Sequence, residues 1–218
     1  DSRAVAAGAG LGLAEMIASG VTCVADMYMH TGTIAEQILE AGISANLSCG
    51  GVYFGAPEDF SPETCGDCRN QAALTEEWHG AGAGQILVDA SVHGEYTSNP
   101  PLWRWMAEYA AEHRLGMHVH VSETQSEHQA SLERWGKTPI QALDGCGVWD
   151  CGRSLAAHCV YTTEEDWALM AEKGISCVHN PWSNLKLGSG VAPIPAMMRA
   201  GVNVALGTDG MSSHNSAD

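Results

Sequence analysis

Imidazole and carboxylate side chains stand at the ends of apolar runs in this sequence, where they could hold a metal ion. The run Met117–Val121 carries two histidines, His118 and His120, two positions apart. Residues two apart in a β-strand share a face, so both imidazoles are predicted to point inward, with His120 nearer the rim. Imidazole nitrogens and carboxylate oxygens are ligands of Zn²⁺ and Fe²⁺ sites that keep one position open for water. Such a metal lowers the pKa of its bound water towards about 7 and so supplies hydroxide.

Reactive or polar groups also follow the other apolar runs. The groups at or just after the ends of these predicted strands are Asp26, His93, His120, His158, His179, Asn180 and Asp209. A site built from the carboxyl ends of many strands is the arrangement of a (β/α)8 barrel. An open doubly wound sheet instead has its site at one switch point, usually with a Gly-rich phosphate loop. Neither a G-x-G-x-x-G nor a Walker-type motif occurs at the first strand, so the barrel is favoured.

The elements that must position these groups follow one local pattern. A helix-compatible segment ends at a glycine, and an apolar run rich in β-branched residues begins there; the glycines are Gly20, Gly42, Gly116, Gly174 and Gly201. Glycine at this place is predicted to be the helix C-cap, because it accepts the left-handed conformation at little steric cost. With two further strands, at residues 86–92 and Ser154–His158, seven strands alternate with helices. The prediction is an α/β fold of the TIM-type barrel class.

Helix starts agree with this alternation. Ser122 is followed three residues later by Gln125, which is the spacing of a capping box. Thr163 precedes a run of acidic residues, and Pro195 suits the first turn of a helix. The stretch at residues 55–66 carries two prolines and is predicted to be a surface excursion.

Composition and charge exclude several classes of function. The chain has 218 residues, and 10 Lys and Arg against 26 Asp and Glu give a net charge of −16. A surface so acidic repels phosphate backbones and anionic headgroups, which disfavours nucleic-acid and membrane-surface binding. No apolar run approaches the about 20 residues that a membrane span needs. The eight cysteines are predicted to be mostly reduced and structural, as in a cytoplasmic protein. The pair Cys65 and Cys68 leaves a structural zinc site open as an alternative.

Several segments, in this order along the chain, resemble the amidohydrolase superfamily, and within it the branch of 5-methylthioadenosine/S-adenosylhomocysteine deaminases and chlorohydrolase-like enzymes. The segments that carry the resemblance are residues 20–28, 118–123, 157–159, 179–187, 189–193 and 206–210. They cover nearly the whole chain, and several ordered motifs are far more specific than any one of them.

The resemblance implies a role for each matching residue. His120 and Asp209 match the metal ligands that close the fifth and eighth strands, and Asp209 also takes a proton from the attacking water. His158 matches the sixth-strand histidine that steadies the hydroxide and the tetrahedral intermediate. Glu123 matches the acid that protonates a ring nitrogen and then the leaving ammonia. His93 matches a histidine that contacts the substrate.

The implied reaction is the hydrolytic deamination of an aminated purine-like ring. The substrate would be a small heterocycle such as 5-methylthioadenosine or S-adenosylhomocysteine, and the cofactor one divalent metal ion, Zn²⁺ or Fe²⁺. Alternatives within the resemblance are deamination of guanine or an oxidised purine and hydrolysis of a chlorinated triazine. A non-catalytic alternative is a degenerate barrel that serves as a binding or oligomerisation module. Homo-oligomers are common among such barrels, and this fold-level analogy leaves a homo-oligomer open.

Some positions depart from the pattern of that superfamily. Members carry a His-x-His at the end of the first strand, whereas the His118/His120 pair follows earlier strand signals. We therefore expect residues 1–218 to form a single incomplete barrel domain, from the second strand to the eighth, with the first strand and a flanking β-sandwich outside this chain. Such a chain, with two of four ligands, is expected to be inactive alone. The Gly-Glu pair that ends at Glu95 and the bulky Trp182 also differ from many relatives, and both bear on the substrate.

Overall fold

Parallel β-strands alternate with helices along the chain. The structure is a computed structural model that describes residues 1–214. The strands within these residues are β1 (Cys23–Met27), β2 (Ser44–Ser48), β3 (Ile86–Val88), β4 (Ala90–Gly94), β5 (Met117–Val121), β6 (Ser154–His158), β7 (Ile175–His179) and β8 (Val204–Leu206). The helices are α1 (Ser2–Ala18), α2 (Thr31–Ala41), α3 (Gly66–Trp78), α4 (Ala81–Gly84), α5 (Pro100–His113), α6 (Gln125–Trp135), α7 (Pro139–Asp144), α8 (Glu164–Lys173), α9 (Pro181–Lys186) and α10 (Ile194–Arg199).

The strands pair in chain order, as they do in the wall of a barrel. One sheet has the order β1-β2-β3 and the other β4-β5-β6-β7-β8, and every pair is parallel. A bridge between Gly51 and Val92 joins the two sheets. Sequential parallel strands with helical crossovers are the architecture of a (β/α)8 barrel. The prediction of an α/β fold with a partial TIM-type barrel is confirmed.

The two ends of this wall are open edges in the described part of the chain. There, β1 pairs with β2 alone and β8 with β7 alone. The residues of β8 are correspondingly accessible, with Leu206 79% exposed. Unpaired edges of parallel strands offer free N–H and C=O groups, which favour association with further strands.

The single strand predicted at residues 86–92 is in fact two strands, β3 and β4. The break lies at Asp89, which is buried and turns its carboxylate to neighbouring strands. Its Oδ1 accepts hydrogen bonds from the Gly116 N–H at 3.0 Å and from Arg153 Nη2 at 2.6 Å, and its Oδ2 accepts one from Asn46. The Asp89 carboxylate thus has hydrogen-bond partners at the amino-terminal ends of β5 and β6, but the β-ladder is interrupted at this residue. Periodicity alone could not show this.

Two of the five predicted glycine caps are found as predicted. Gly42 and Gly174 end α2 and α8 in the left-handed conformation, with φ of 78° and 68°. Gly20 and Gly201 also have positive φ, but they lie one residue beyond the caps Ser19 and Ala200. These four glycines therefore make the turns between helix and strand that the sequence indicated.

The prediction for Gly116 is wrong. The C-cap of helix α5 is a different residue, Arg114, which takes the left-handed conformation with φ of 58°. Gly116 serves close approach instead, because a Cβ there would lie 2.8 Å from the carbonyl oxygen of Arg153 and closer still to the Asp89 carboxylate. The glycine makes room for the buried Asp89 carboxylate and its ion pair with Arg153.

The capping box predicted at Ser122 and Gln125 is also displaced. Thr124 is the N-cap of α6, and Glu127 completes the box. The Glu127 carboxylate reaches further back, to the N–H groups of Ser122 at 2.7 Å and Glu123 at 2.8 Å. The shift by two residues places Ser122 in the turn before the helix, with φ of 51°. At α8 the box forms on Thr163, as the sequence indicated.

Two hydrophobic clusters lie under the two sheets. The larger one packs α5 against β4 and β5, with Leu102, Trp103 and Met106 almost completely buried. Cys65 and Cys68 belong to this core, and all eight cysteines are free thiols. The smaller cluster packs α1 and α2 against the first sheet. None of the helices in residues 1–214 combines the length and apolar character that a membrane crossing requires.

Candidate active site

Four of the residues singled out in the sequence meet at the carboxyl ends of the strands. The ring centroids of His120 and His158 are 5.5 Å apart, and Nε2 of His158 lies 3.9 Å from Oε2 of Glu123. The carboxylate of Asp209 accepts a hydrogen bond from Ser183 on α9, and the imidazoles of His158 and His120 help to lower its pKa. The side chains come from the ends of β5 and β6 and from the turn after β8, so strands distant in the chain build one site.

His120 is held in the tautomer that a metal ligand needs. Its Nδ1 lies 2.9 Å from the carbonyl oxygen of His93, which can only accept, so Nδ1 carries the proton and the Nε2 lone pair is left available. Burial, reinforced by the neighbouring His158, lowers the pKa of His120 to about 4. The ring is therefore neutral at pH 7.

His93 stands beside His120 at the end of β4. Its ring centroid is 5.1 Å from that of His120, and its Nδ1 lies 3.2 Å from Oγ1 of Thr97. Burial lowers the pKa of His93, and the nearby Glu123 partly offsets this effect. The half-buried ring is thus placed next to the imidazoles and carboxylates of the site.

His158 is fixed by a buried amide. Its Nδ1 lies 2.9 Å from Oδ1 of Asn184, so the Nδ1–H donates and Nε2 faces Glu123. His158 and Cys159 both have positive φ, 74° and 50°. Non-glycine residues seldom adopt this conformation, and such backbone strain clusters at functional sites.

Asp209 follows β8 in a turn with φ of 64°. Its carboxylate accepts hydrogen bonds from Oγ of Ser183 at 2.5 Å and from the Gly210 N–H at 2.6 Å. Burial alone would raise the pKa of Asp209, but these hydrogen bonds and the nearby imidazoles bring it below its usual value. Nε2 of His214 lies 2.9 Å from the Asp209 carbonyl oxygen, so the backbone of this turn is held as well.

Glu123 is oriented from two sides. Oγ of Ser189 donates to its Oε1 at 3.1 Å, while Glu127 accepts from its backbone N–H. Its side chain is 19% exposed and so remains accessible from the mouth of the site. A carboxyl group held in this way, next to His158 and open to solvent, can exchange protons with a bound molecule.

Two further histidines differ from these. His118 is buried below His120, with ring centroids 5.9 Å apart, and its Nδ1 lies 3.2 Å from Oγ of Ser48. Burial and the neighbouring imidazoles lower the pKa of His118 to about 3. His179 ends β7, and its buried Nδ1 has no hydrogen-bond partner among the described residues.

Sequence reasoning missed a set of residues that hold the reactive groups. These are Ser183, Asn184, Ser189 and His214. Ser183 and Asn184 lie on α9, within the segment 179–187 that carried the resemblance, and this was the available signal. The sequence prediction, which we call the strand-end rule, considered only groups at or just after the ends of strands. It therefore gave no role to residues of a short helix that lies over those ends.

The donor set suits a divalent metal ion but is incomplete. His120 offers a neutral imidazole nitrogen, and Asp209 offers a carboxylate of lowered pKa. Both are ordinary ligands of Zn²⁺. Residues 1–214 contain no group of three His, Cys, Asp or Glu that could hold a metal. A catalytic zinc site usually has three protein ligands, so further donors would have to complete this one.

The fold and this arrangement correspond to a known class of proteins. The model of the amidohydrolase family matches residues 1–218. The chain therefore belongs to the amidohydrolase family, as its motifs indicated.

Two curated relatives within this family carry the same name. The 5-methylthioadenosine/S-adenosylhomocysteine deaminase of Moorella thermoacetica is 43% identical over 213 residues, which are 97% of this chain and 48% of the relative. The protein of the same name from Halothermothrix orenii is 40% identical over 211 residues, 97% of this chain and 47% of the relative. The chain thus spans about half the length of the curated relatives that it matches.

Solved structures agree with the fold. An adenosine deaminase from Xanthomonas campestris with bound zinc superimposes with a TM-score of 0.88 at 31% identity, over 100% of this chain and 48% of the other. A guanine deaminase from C. acetobutylicum has a TM-score of 0.84 at 21% identity, over 95% and 51% of the two chains. The second likeness supports the fold alone.

Proposed function

We propose that the protein containing this chain is a metal-dependent hydrolase that removes ammonia from an adenosine derivative such as 5-methylthioadenosine or S-adenosylhomocysteine. The observation that carries this proposal is the convergence of His120, Glu123, His158 and Asp209 at the ends of three strands. The 43% identity with a deaminase of that name over 97% of the chain favours this substrate class.

The metal would be held by Nε2 of His120 and by the Asp209 carboxylate, together with donors outside the described residues. We propose Zn²⁺, because borderline ligands of this kind suit it and the Xanthomonas campestris relative binds zinc. When bound, the ion would lower the pKa of a water molecule and so supply hydroxide at neutral pH.

The protein's own side chains would then move the protons. Asp209, ionised at pH 7 because its pKa is lowered, takes a proton from the attacking water. Nε2 of His158 accepts a hydrogen bond from that water and orients it, since Asn184 fixes the tautomer. Glu123 gives a proton to a ring nitrogen, regains one from the hydroxyl group of the adduct and passes it to the leaving amine, so that ammonia departs and a ring carbonyl remains. The proton that Asp209 took from the water then returns Glu123 to its acid form.

The deciding experiment is a panel assay on the complete, zinc-loaded protein. We expect ammonia release from 5-methylthioadenosine or S-adenosylhomocysteine with a higher kcat/KM than from guanine. A chlorinated triazine in the same panel tests chloride release. A preference for guanine or the triazine would reassign the substrate, and no turnover on any of these compounds would refute the hydrolase.

We also propose a cytoplasmic location. The eight free thiols and the net charge of −16 support it, since reduced cysteines suit that compartment and so acidic a surface disfavours binding to nucleic acid or anionic membranes. Fractionation of cells that express a tagged complete protein tests the proposal. Recovery in the membrane or secreted fraction would refute it.

A further inference from the structure

A buried carboxylate lies in the loop that follows β4. The side chain of Glu95 is fully buried, and its hydrogen-bond partners belong to α6. Its Oε1 and Oε2 accept hydrogen bonds from Nη2 of Arg134 at 2.9 and 2.7 Å, and Oε1 accepts another from Nε1 of Trp135 at 2.6 Å. These two partners end α6, the helix that begins just after Glu123. Glu95 therefore joins the β4–α5 loop to α6.

The other end of the same loop is fixed as well. Oγ of Ser98 accepts a hydrogen bond from Nε1 of Trp103 on α5 at 2.7 Å. The carbonyl oxygen of Thr97 accepts one from the Tyr53 N–H at 3.0 Å. Residues 95–98 thus lie between two helices. Among these contacts, the one between Glu95 and Arg134 is an ion pair.

The loop carries two groups to the mouth of the site. His93 precedes it, and its carbonyl oxygen accepts the hydrogen bond that orients His120. Tyr96 lies within it, 46% exposed, with its ring centroid 6.3 Å from that of His93. Burial raises the pKa of Tyr96, and the carboxylates of Glu127 and Glu123 raise it further.

We propose that Glu95 is a positioning residue, whose ion pair with Arg134 sets the place of Tyr96 and His93 and thereby the binding of the substrate. This inference rests on the proposed function and deepens it. Tyr96 lies beside His93 and is not one of the four reacting groups. We therefore expect it to contact the sugar side of a nucleoside and not the carbon under attack. Loosening the ion pair should therefore weaken substrate binding more than it slows the chemistry.

The chain offers a matched control. Arg134 and Arg153 are 40% and 49% exposed, and each pairs with a carboxylate that is at most 1% exposed. Arg153 pairs with Asp89 at the opposite ends of the strands, far from the mouth in the fold. Arg134→Gln and Arg153→Gln therefore remove the same kind of ion pair, one beside the site and one remote from it. Glu95→Gln is a milder third variant, which keeps the side-chain volume and an acceptor for Trp135.

The experiment compares these variants in the complete, zinc-loaded protein with 5-methylthioadenosine. We expect Arg134→Gln and Glu95→Gln to raise KM about tenfold with kcat within about threefold, because they remove binding contacts and leave the reacting groups in place. Hydrogen–deuterium exchange should accelerate at residues 95–98 in both. Arg153→Gln should change neither KM nor exchange in this loop, although it should lower the melting temperature.

The outcomes separate this proposal from the proposed function. Unchanged exchange at residues 95–98 in Arg134→Gln and Glu95→Gln overturns the positioning role, whatever the activity. So does a fall in kcat at constant KM, or a similar rise in KM in Arg153→Gln. A parent protein without turnover refutes the proposed function, and the exchange comparison then decides the role of Glu95 alone.

Discussion

Nδ1 of His158 lies 2.9 Å from Oδ1 of Asn184, and both residues are almost completely buried. An amide oxygen can only accept, so the contact fixes the proton of His158 on Nδ1. Asn184 thereby determines which nitrogen faces the centre of the site. A hydrogen bond of this kind, on the far side of a reactive imidazole, sets its tautomer and its direction.

Replacing Asn184 with alanine should lower kcat of the complete enzyme by about 10- to 100-fold, the usual cost of losing such an outer partner. His158 would then be free to rotate and to carry its proton on Nε2, where it could not accept from water. Steady-state ammonia release measures the change. The matched control is Asn203→Ala, since Asn203 is exposed and its amide donates to Oγ of Ser176. Equal activity in the two variants would contradict the role of Asn184.

Glu123→Gln should lower kcat by about 10²- to 10⁴-fold, the range expected for loss of a general acid. Glutamine keeps the volume and can still accept from Ser189, but it cannot deliver a proton. Zinc content, measured by elemental analysis, should stay at the parent value because Glu123 is not among the proposed ligands. Turnover at the parent rate would refute the acid role. A loss of zinc together with turnover would instead make Glu123 part of the metal site.

Gly116→Ala should destabilise the protein by about 1–3 kcal/mol, because the new Cβ meets the carbonyl oxygen of Arg153 and the Asp89 carboxylate. Gly8→Ala is the control. Gly8 lies exposed in α1, where an added Cβ would have no atom within 4 Å, so alanine should raise stability by about 0.5–1 kcal/mol. Urea unfolding measures both. Equal stability of the two variants would show that the Asp89 region yields to a methyl group.

The sequence predicted most of the strands because their signal is local. The alternation of residues 117–121 identified β5 with correct ends and put His118 and His120 on one face. The same strand-end rule found His158, at the end of β6, and Asp209, just after β8. Parallel strands that pair in chain order bring their carboxyl ends together, so the positions of these residues in the sequence predicted that their side chains lie close in the fold.

The features that escaped depend on residues far apart in the chain. The break at Asp89 reflects its contacts with Asn46 and Arg153, 43 and 64 residues away. Gly116 matched the pattern of a helix cap, but a glycine is needed there because the Asp89 carboxylate packs against it. Asn184 lies on a short helix without a sequence signal of its own, and its role becomes visible through its contact with His158. Local spacing does not contain such pairings.

Zinc binding should distinguish residues 1–218 from the complete protein. Since residues 1–214 present no group of three possible ligands, the isolated chain should lose Zn²⁺ on dialysis against a weak chelator. The complete protein should retain about one equivalent. In the complete protein, His120→Ala should weaken zinc binding by at least about 100-fold, more than the loss of an outer partner would. Competition with a chromophoric chelator measures both.

His113→Ala is the control for that measurement, because His113 is exposed on α5 and stacks on Tyr109. It should leave zinc affinity unchanged. Tight, equimolar binding by the isolated chain would mean that His120 and Asp209 suffice together with other groups of the same chain. Full affinity in His120→Ala would remove His120 from the metal site and would leave its hydrogen bond to His93 as its main role.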